Sequence, residues 1–361
     1  QEGVQEVSNG SFSQEGSELV TNGDFATDSD WYTTTNTTIT NNKAEFINAI
    51  SNSDFIQQSI IAPSGKFYKL QLDVSNLGDG ESIKIRFPFQ DTSITTNGTH
   101  TIYKKGQDSN FLRITPNSAT ATFSIDNVSI KEVGQDWNLV GTTTITENQA
   151  NVVTASAVTG ISQLNILTIG KRYKLSYNIV SNNNGGLKIL GNEIPSVVGN
   201  NTYYFEASTS VLEILRNSGV TDISITNISV KEVGQDWTFD SGNIEVDKLT
   251  LSSVGGAMTY AYQSGLTLVA NTSYLISLNA TRISGNTNLA FGQTGVNNVP
   301  DSPIISTSGI QSYNFTPTTN VINFGLKRNA GGSGAVWEIS NISVKEITDD
   351  TNLPRINYEG F

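Results

Sequence analysis

Reactive chemistry in a protein usually sits on histidine, cysteine or facing carboxylates, and this chain is sparing with all three. Its 361 residues include one histidine, His100, and no cysteine. A nucleophile needs a base beside it, and a soft-metal centre needs thiolates or several imidazoles. One histidine builds neither a His-based triad nor such a centre. His100 itself, in "GTHTIY", aligns with Tyr203 and Tyr313 in later stretches, while Ile102 aligns with Phe205 and Phe315. That register reads His100 as an inward strand position. The 33 acidic residues are scattered, and Lys131 with Glu132 reads as a cross-strand charge pair. The expectation is a protein that is not an enzyme.

Aromatic side chains offer a second kind of chemistry, since a ring face can stack on the apolar face of a pyranose. Trp31, Trp137 and Trp237 recur at one position, and Trp337 shares a register with Phe123 and Ile223. Recurrence in register is what core packing produces, so these four read as structural. Candidates for ligand contact are aromatics on the opposite parity from the core: Tyr32, Phe67, Tyr103 and Tyr204. Arg86, between inward Ile85 and Phe87, joins them as an outward cation.

The elements that would position these residues repeat. "NVSIKEVGQDW" begins at Asn127, "NISVKEVGQDW" at Asn227, and a partial echo, "NISVKEITDD", at Asn341. Repetition on this scale marks tandem modules. Within each module a tyrosine starts a period-two alternation: Tyr68, Leu70, Leu72, Val74; Tyr173, Leu175, Tyr177, Ile179; Tyr274, Ile276, Leu278, Ala280. Alternation of this kind marks a strand with one buried face. Further short strands, such as Ile83–Phe87 and Leu112–Ile114, are separated by Asn, Gly and Ser turns. The pattern predicts an all-β chain of three antiparallel β-sandwich modules. Their spans are 18–133, 134–233 and 234–347. Residues 1–17 read as an extended arm or degenerate unit without a core of its own, because "VSNGSF" half-copies "VTNGDF" downstream. Residues 348–361 read as an extended tail. "KEVGQDW" is then a seam between modules with almost no linker, which restricts their relative rotation.

Composition narrows the partners. A formal charge of −12, with no basic stripe, repels a phosphate backbone, so no nucleic acid is expected. No apolar run is long enough to span a bilayer as a helix, so no membrane insertion is expected.

"LVTNGDFATDSDW" with "FSIDNVSIKEV" resembles the opening and closing phrases of jelly-roll carbohydrate-binding modules. The chain resembles still more the tandem modules of bacteriophage fibre and virion-surface proteins, where strings like "VSVKEVGQDW" and "TDDTNLPRINYEGF" recur between units. The resemblance implies jelly-roll sandwiches, a place on the virion surface or outside the cell, and other virion subunits as partners. Host surface polysaccharide would be the ligand of weak, multivalent adhesion, and a homo-oligomer would suit it. Two alternatives stay open: a structural spacer or capsid-decorating protein, and targeting modules of a secreted polysaccharide-degrading enzyme. Carbohydrate-binding relatives also hold a structural calcium where first and last strands meet, which implies a site in the first module through Asp126 and Asp24. No other cofactor is implied. Thr226 and Ser340 replace Asp126 in the other modules.

Overall fold

The computed structural model describes residues 2–87, 91–240, 242–245, 248–252, 259–293, 299–328 and 335–348. The tail expected at 348–361 lies outside the described residues except for Thr348. The described chain is all-β, with six antiparallel sheets and no helix. They pair as three sandwiches around three apolar cores. By compactness the chain divides in two. One unit, Gln5–Lys231, carries the first two sandwiches; the other runs from Glu232 onward and includes the N-terminal residues up to Val4.

The first sandwich shows the plan. One sheet runs Gly98–Lys105, Phe67–Ser75, Thr120–Val133, Lys43–Ile50, Thr37–Thr40; the other runs Tyr32–Thr33, Ile56–Ala62, Ser109–Pro116, Ile83–Arg86, Asp91–Ile94. The other two sandwiches keep this strand order. Alternation decides the packing: Leu70, Leu72, Ile83, Ile85, Leu112, Ile114, Phe123 and Ile125 are all at most 2% exposed, while Gln71, Lys84 and Arg113 between them are partly exposed. Phe46 stacks on Phe123 with centroids 4.2 Å apart, joining neighbouring strands through their rings.

The N-terminal arm, read from sequence as a segment without a core of its own, lends its apolar residues to another body. Val7 and Phe12 are buried in the core of the second sandwich, while Val20 and Phe25 occupy the same places in the first. The two segments are offset by thirteen residues and make matching contacts. Phe12 packs on Trp137 and Phe25 on Trp31, at centroid distances of 5.4 and 5.2 Å. Each indole N–H donates to an asparagine carbonyl, Trp137 to Asn9 and Trp31 to Asn22, both at 3.0 Å. Gln163 exchanges hydrogen bonds with the backbone of Ser8, as Gln58 does with Thr21. Gln5 takes the N–H of Val230 and the hydroxyl of Ser229, and Glu18 takes those of Ile130 and Ser129. We call these two segments openers. The chain supplies the opener of its second sandwich first and that of its first sandwich next, before either body begins.

Glycine is required in this motif. A Cβ on Gly10 would come within 1.9 Å of the Ile228 carbonyl oxygen, and one on Gly23 within 2.0 Å of that of Val128. The closing strands receive the openers at a bulge where Asn127 and Asn227 adopt positive φ, 51° and 53°. Asparagine tolerates that conformation better than other residues with a Cβ.

The first two sandwiches share a packed seam. Phe67 and Val133 belong to the apolar cluster of the second sandwich, and Tyr103 packs against it. Glu15 bridges Lys69 and Lys131 nearby, at 2.8 and 3.1 Å.

Truncating Phe12 to alanine removes a fully buried ring and should cost the second sandwich about 3–5 kcal/mol. Phe25→Ala should cost the first a similar amount. Denaturant unfolding followed by hydrogen exchange will assign each loss. A Phe12→Ala protein whose second sandwich is as stable as before would disprove the assignment of the arm.

Candidate functional site

The outer face of the second sheet in the first sandwich carries one residue from each of five strands in a continuous cross-strand row. Tyr32 lies opposite Gln57, Gln57 opposite Arg113, Arg113 opposite Arg86, and Arg86 opposite Asp91. Four inter-strand steps make the row about 19 Å long. Phe55 and Phe111 flank it. The Arg113 guanidinium lies over the Phe55 ring at 4.1 Å and 5.4 Å from that of Phe111, while its Nε donates to Gln57 at 2.9 Å. Tyr32, 63% exposed, leans on Phe55 with ring centroids 5.6 Å apart. Arg86 donates twice to Asp91, at 2.7 and 3.1 Å, and Lys84 approaches the same carboxylate. The Arg86 bond holds the Asp91 carboxyl below its usual range. Cation–aromatic stacking and bidentate pairing each limit side-chain freedom before any ligand arrives. The result is a flat strip, apolar at the Tyr32 end and charged at the Arg86 end.

A buried carboxylate sets the apolar end. Asp54, 3% exposed, precedes Phe55 and accepts from the backbone N–H of Ile50, the backbone and side-chain amides of Asn36, and the Thr34 hydroxyl. Its own carbonyl accepts from Thr115. The strand bearing Tyr32 is thereby fixed beside Phe55. Burial alone would raise the Asp54 pKa; the donors around it outweigh burial and lower it.

The corresponding faces of the other sandwiches differ. In the second, the row reads Asn138, Ser162, Glu213, with no ring. In the third, Tyr260 and Tyr262 stack at 5.6 Å on adjacent outward positions. A Cβ on Gly325, opposite Tyr262, would collide with the Tyr262 backbone, so this glycine permits the close approach of the two strands.

Of the residues singled out from sequence, Tyr32 and Arg86 fall in the row. Phe67 does not: it is 5% exposed and packed into the seam, because its strand begins where the second sandwich covers it. Tyr103 is half-buried in the same seam, and Tyr204 is half-buried opposite Lys174 on its sheet. His100 lies opposite Leu72 but is half-exposed rather than core-facing, its ring bonded to the Thr96 carbonyl, because its strand is the sheet edge and has a neighbour on one side only. Trp31, Trp137 and Trp337 are buried as expected, Trp337 donating to Thr287 at 2.8 Å. Asp24 is exposed, and one of its oxygens accepts from Ala26; Asp126 accepts from its neighbour Asn127. Among the described residues no group of three or more His, Cys, Asp or Glu side chains is placed to hold a metal ion. Phe55, Gln57, Phe111 and Arg113 were missed by sequence reasoning. Their signal was the outward parity of Phe111 and Arg113 around Leu112, and of Phe55 and Gln57 around Ile56.

No protein-family model and no curated protein matches the chain. Among solved structures, it is similar to the N-terminal CBM22-1–CBM22-2 tandem domain of Xyn10C from Paenibacillus barcinonensis. Identity there is 10% and the TM-score 0.23, covering 93% of this chain and 99% of that one. It is also similar to the tandem CBM51 modules of Sp3GH98, the family 98 glycoside hydrolase from Streptococcus pneumoniae SP3-BS71. There identity is 10% and the TM-score 0.19, covering 83% and 84%. Identities and TM-scores this low carry no inference about function.

A carboxyl whose folded pKa is lowered adds stability above its unfolded value, about 3.9, and loses it as pH falls through the folded value. Asp54→Asn should therefore be less stable than wild type near neutrality by about 2–3 kcal/mol. The gap should narrow steadily on acidification below about pH 4. Melting curves of both proteins across that range provide the check; a gap independent of pH would refute the role of the charge.

Proposed function

We propose that this chain is a non-enzymatic adhesive string of a bacteriophage virion, a fibre or surface decoration that holds host surface polysaccharide weakly and in many copies. The observation that carries this reading is the strip of Tyr32, Phe55, Arg113 and Phe111. It sets one exposed ring, two half-buried rings, a guanidinium and the Gln57 amide on a sheet, and its length suits an extended oligosaccharide better than a single ring. The virion setting rests on the resemblance of "KEVGQDW" and the C-terminal string to phage modules. Catalysis has little to work with, since the one histidine is engaged with a backbone carbonyl.

A flat site of this kind buries little area, so a single module should bind with a Kd on the order of millimolar to tens of micromolar. Several copies on one particle raise avidity by about 10²–10⁴ without new contacts. The polar row of the second sandwich favours a second role beside the first, that of a spacer.

Clustered full-length protein should bind at least one polysaccharide from a host-surface panel where the free monomer binds faintly. Tyr32→Ala and Arg113→Ala should each weaken that binding by roughly tenfold, about 1.4 kcal/mol, and leave the melting temperature within a few degrees. Tyr103→Ala should do the reverse, loosening the seam and sparing the binding. Absence of binding across the panel would leave the spacer reading in its place.

A further inference from the structure

The third sandwich retains the features that hold an opener, yet among the described residues none is seated there. In the first sandwich, the closing strand Thr120–Val133 pairs through its first half with Lys43–Ile50 and through its second half with an opener strand, Glu15–Glu18. In the third, Lys248–Ser252 pairs with the first half of Ala335–Glu346. Among the described residues, no strand lies along the same outer edge of the second half, Asn341–Glu346. This sheet has five strands where its counterparts have six.

Burial follows the difference. Val128 and Ile130 are 4% and 0% exposed, and Ile228 and Val230 are 2% and 0%. Their counterparts Ile342 and Val344 are only half-buried. Trp237, at the position of buried Trp31 and Trp137, is half-buried as well, and its indole N–H finds no acceptor among the described residues. Gln263 lies opposite Trp237 and follows Tyr262, which is opposite Thr238, just as Gln163 follows Ser162, opposite Asn138, and Gln58 follows Gln57, opposite Tyr32. In both earlier sandwiches this glutamine grips the opener backbone with two hydrogen bonds; Gln263 makes no side-chain bond among the described residues. Asn341 holds the bulge conformation, φ 53°, with the register shift beside it. Tryptophan, glutamine and bulge are receptor parts, and their upkeep without a guest is costly: an open strand edge beside half-covered apolar side chains invites pairing.

The approach route identifies the guest. On its way from Phe12 to Val20 the chain passes Gly16 over the seam, where a Cβ would meet Gln135 Nε2 at 2.8 Å and Glu132 Cβ at 3.1 Å. Gly3 meets the matching residues of the next repeat of the phrase, Gln235 Nε2 at 2.7 Å and Glu232 Cβ at 3.3 Å. Openers are thus strung in reverse order of the sandwiches they complete, thirteen residues apart. We propose that the third sandwich is an acceptor for a third opener, of the pattern Glu-Gly-x-Gln/Glu-x-Val-x-Asn-Gly-x-Phe, carried by the same polypeptide ahead of residue 1. Glycine before the x-Phe is obligatory, because the bulge carbonyl leaves no room for a Cβ. The C-terminal "INYEGF" does not fit, since its glycine abuts the phenylalanine with no residue between.

The test adds a synthetic peptide of residues 1–12, "QEGVQEVSNGSF", to the full chain. Binding should shift Trp237 emission to the blue and raise the melting temperature of the third sandwich, and Trp237→Phe should abolish the emission change. The same peptide with Gly10→Ala should bind at least about tenfold more weakly, as should the native peptide to a Gln263→Ala chain. A fusion placing a copy of residues 1–13 before residue 1, which keeps the thirteen-residue spacing, should close the site to added peptide. No binding by the native peptide, or equal binding by the Gly10→Ala peptide, overturns the proposal. So does a full chain that dimerises on its own through Gln263, which would assign the groove to a second copy.

Discussion

Everything in the first two sandwiches hangs on one tight passage, where an Asn-Gly turn threads between a tryptophan and the bulge of the closing strand. The tryptophan fills the end of the core and donates its N–H to the asparagine carbonyl; the bulge turns a carbonyl toward the glycine; the phenylalanine two residues on caps the tryptophan ring. Each part fixes the next. Glycine is needed for the approach, the approach for the pairing of the opener strand, and the pairing for burial of the closing strand's apolar residues. That closing strand also bears the phrase "KEVGQDW" that starts the next sandwich, so the same passage sets where the next body begins.

The core was legible from sequence because it obeys a period of two. Tyr68, Leu70, Leu72 and Val74, or Leu112 and Ile114, announce their faces without outside help, and each is buried as its parity requires. The arm was not legible in the same way. "VSNGSF" and "VTNGDF" could be seen as copies, but a copy does not say which body it completes, and Phe12 reaches a tryptophan 125 residues away. Non-local pairing leaves no periodic trace. Phe67 shows the same limit: its parity faces away from its own core, and only the neighbouring sandwich turns that outward face into an inward one.

The binding strip was half legible. Tyr32 and Arg86 were visible as outward residues, but cross-strand register decides which outward residues meet, and register is a tertiary property. Arg113 joins Tyr32's side of the sheet to Arg86's only because Gln57 and Arg86 both lie opposite it. The three sandwiches share a frame and differ in what they mount on it, rings and cations in the first, two stacked tyrosines in the third, and polar side chains in the second.

The reversed order of the openers has a consequence for how the chain is made. The segment that completes the second sandwich leaves the ribosome before the one that completes the first, and the strand it grips emerges some 225 residues later. In the interval the first sandwich can close around its own opener, which shortens the physical gap the earlier segment must bridge to a walk along one folded body. Closing a loop costs free energy that grows only with the logarithm of its length, so the delay is cheap at equilibrium. Kinetically it is another matter, because rates fall as contacts become more distant in sequence. Until synthesis passes Val230 the second sandwich has an unsealed end, and the nascent chain carries both the plug and the opening on one thread.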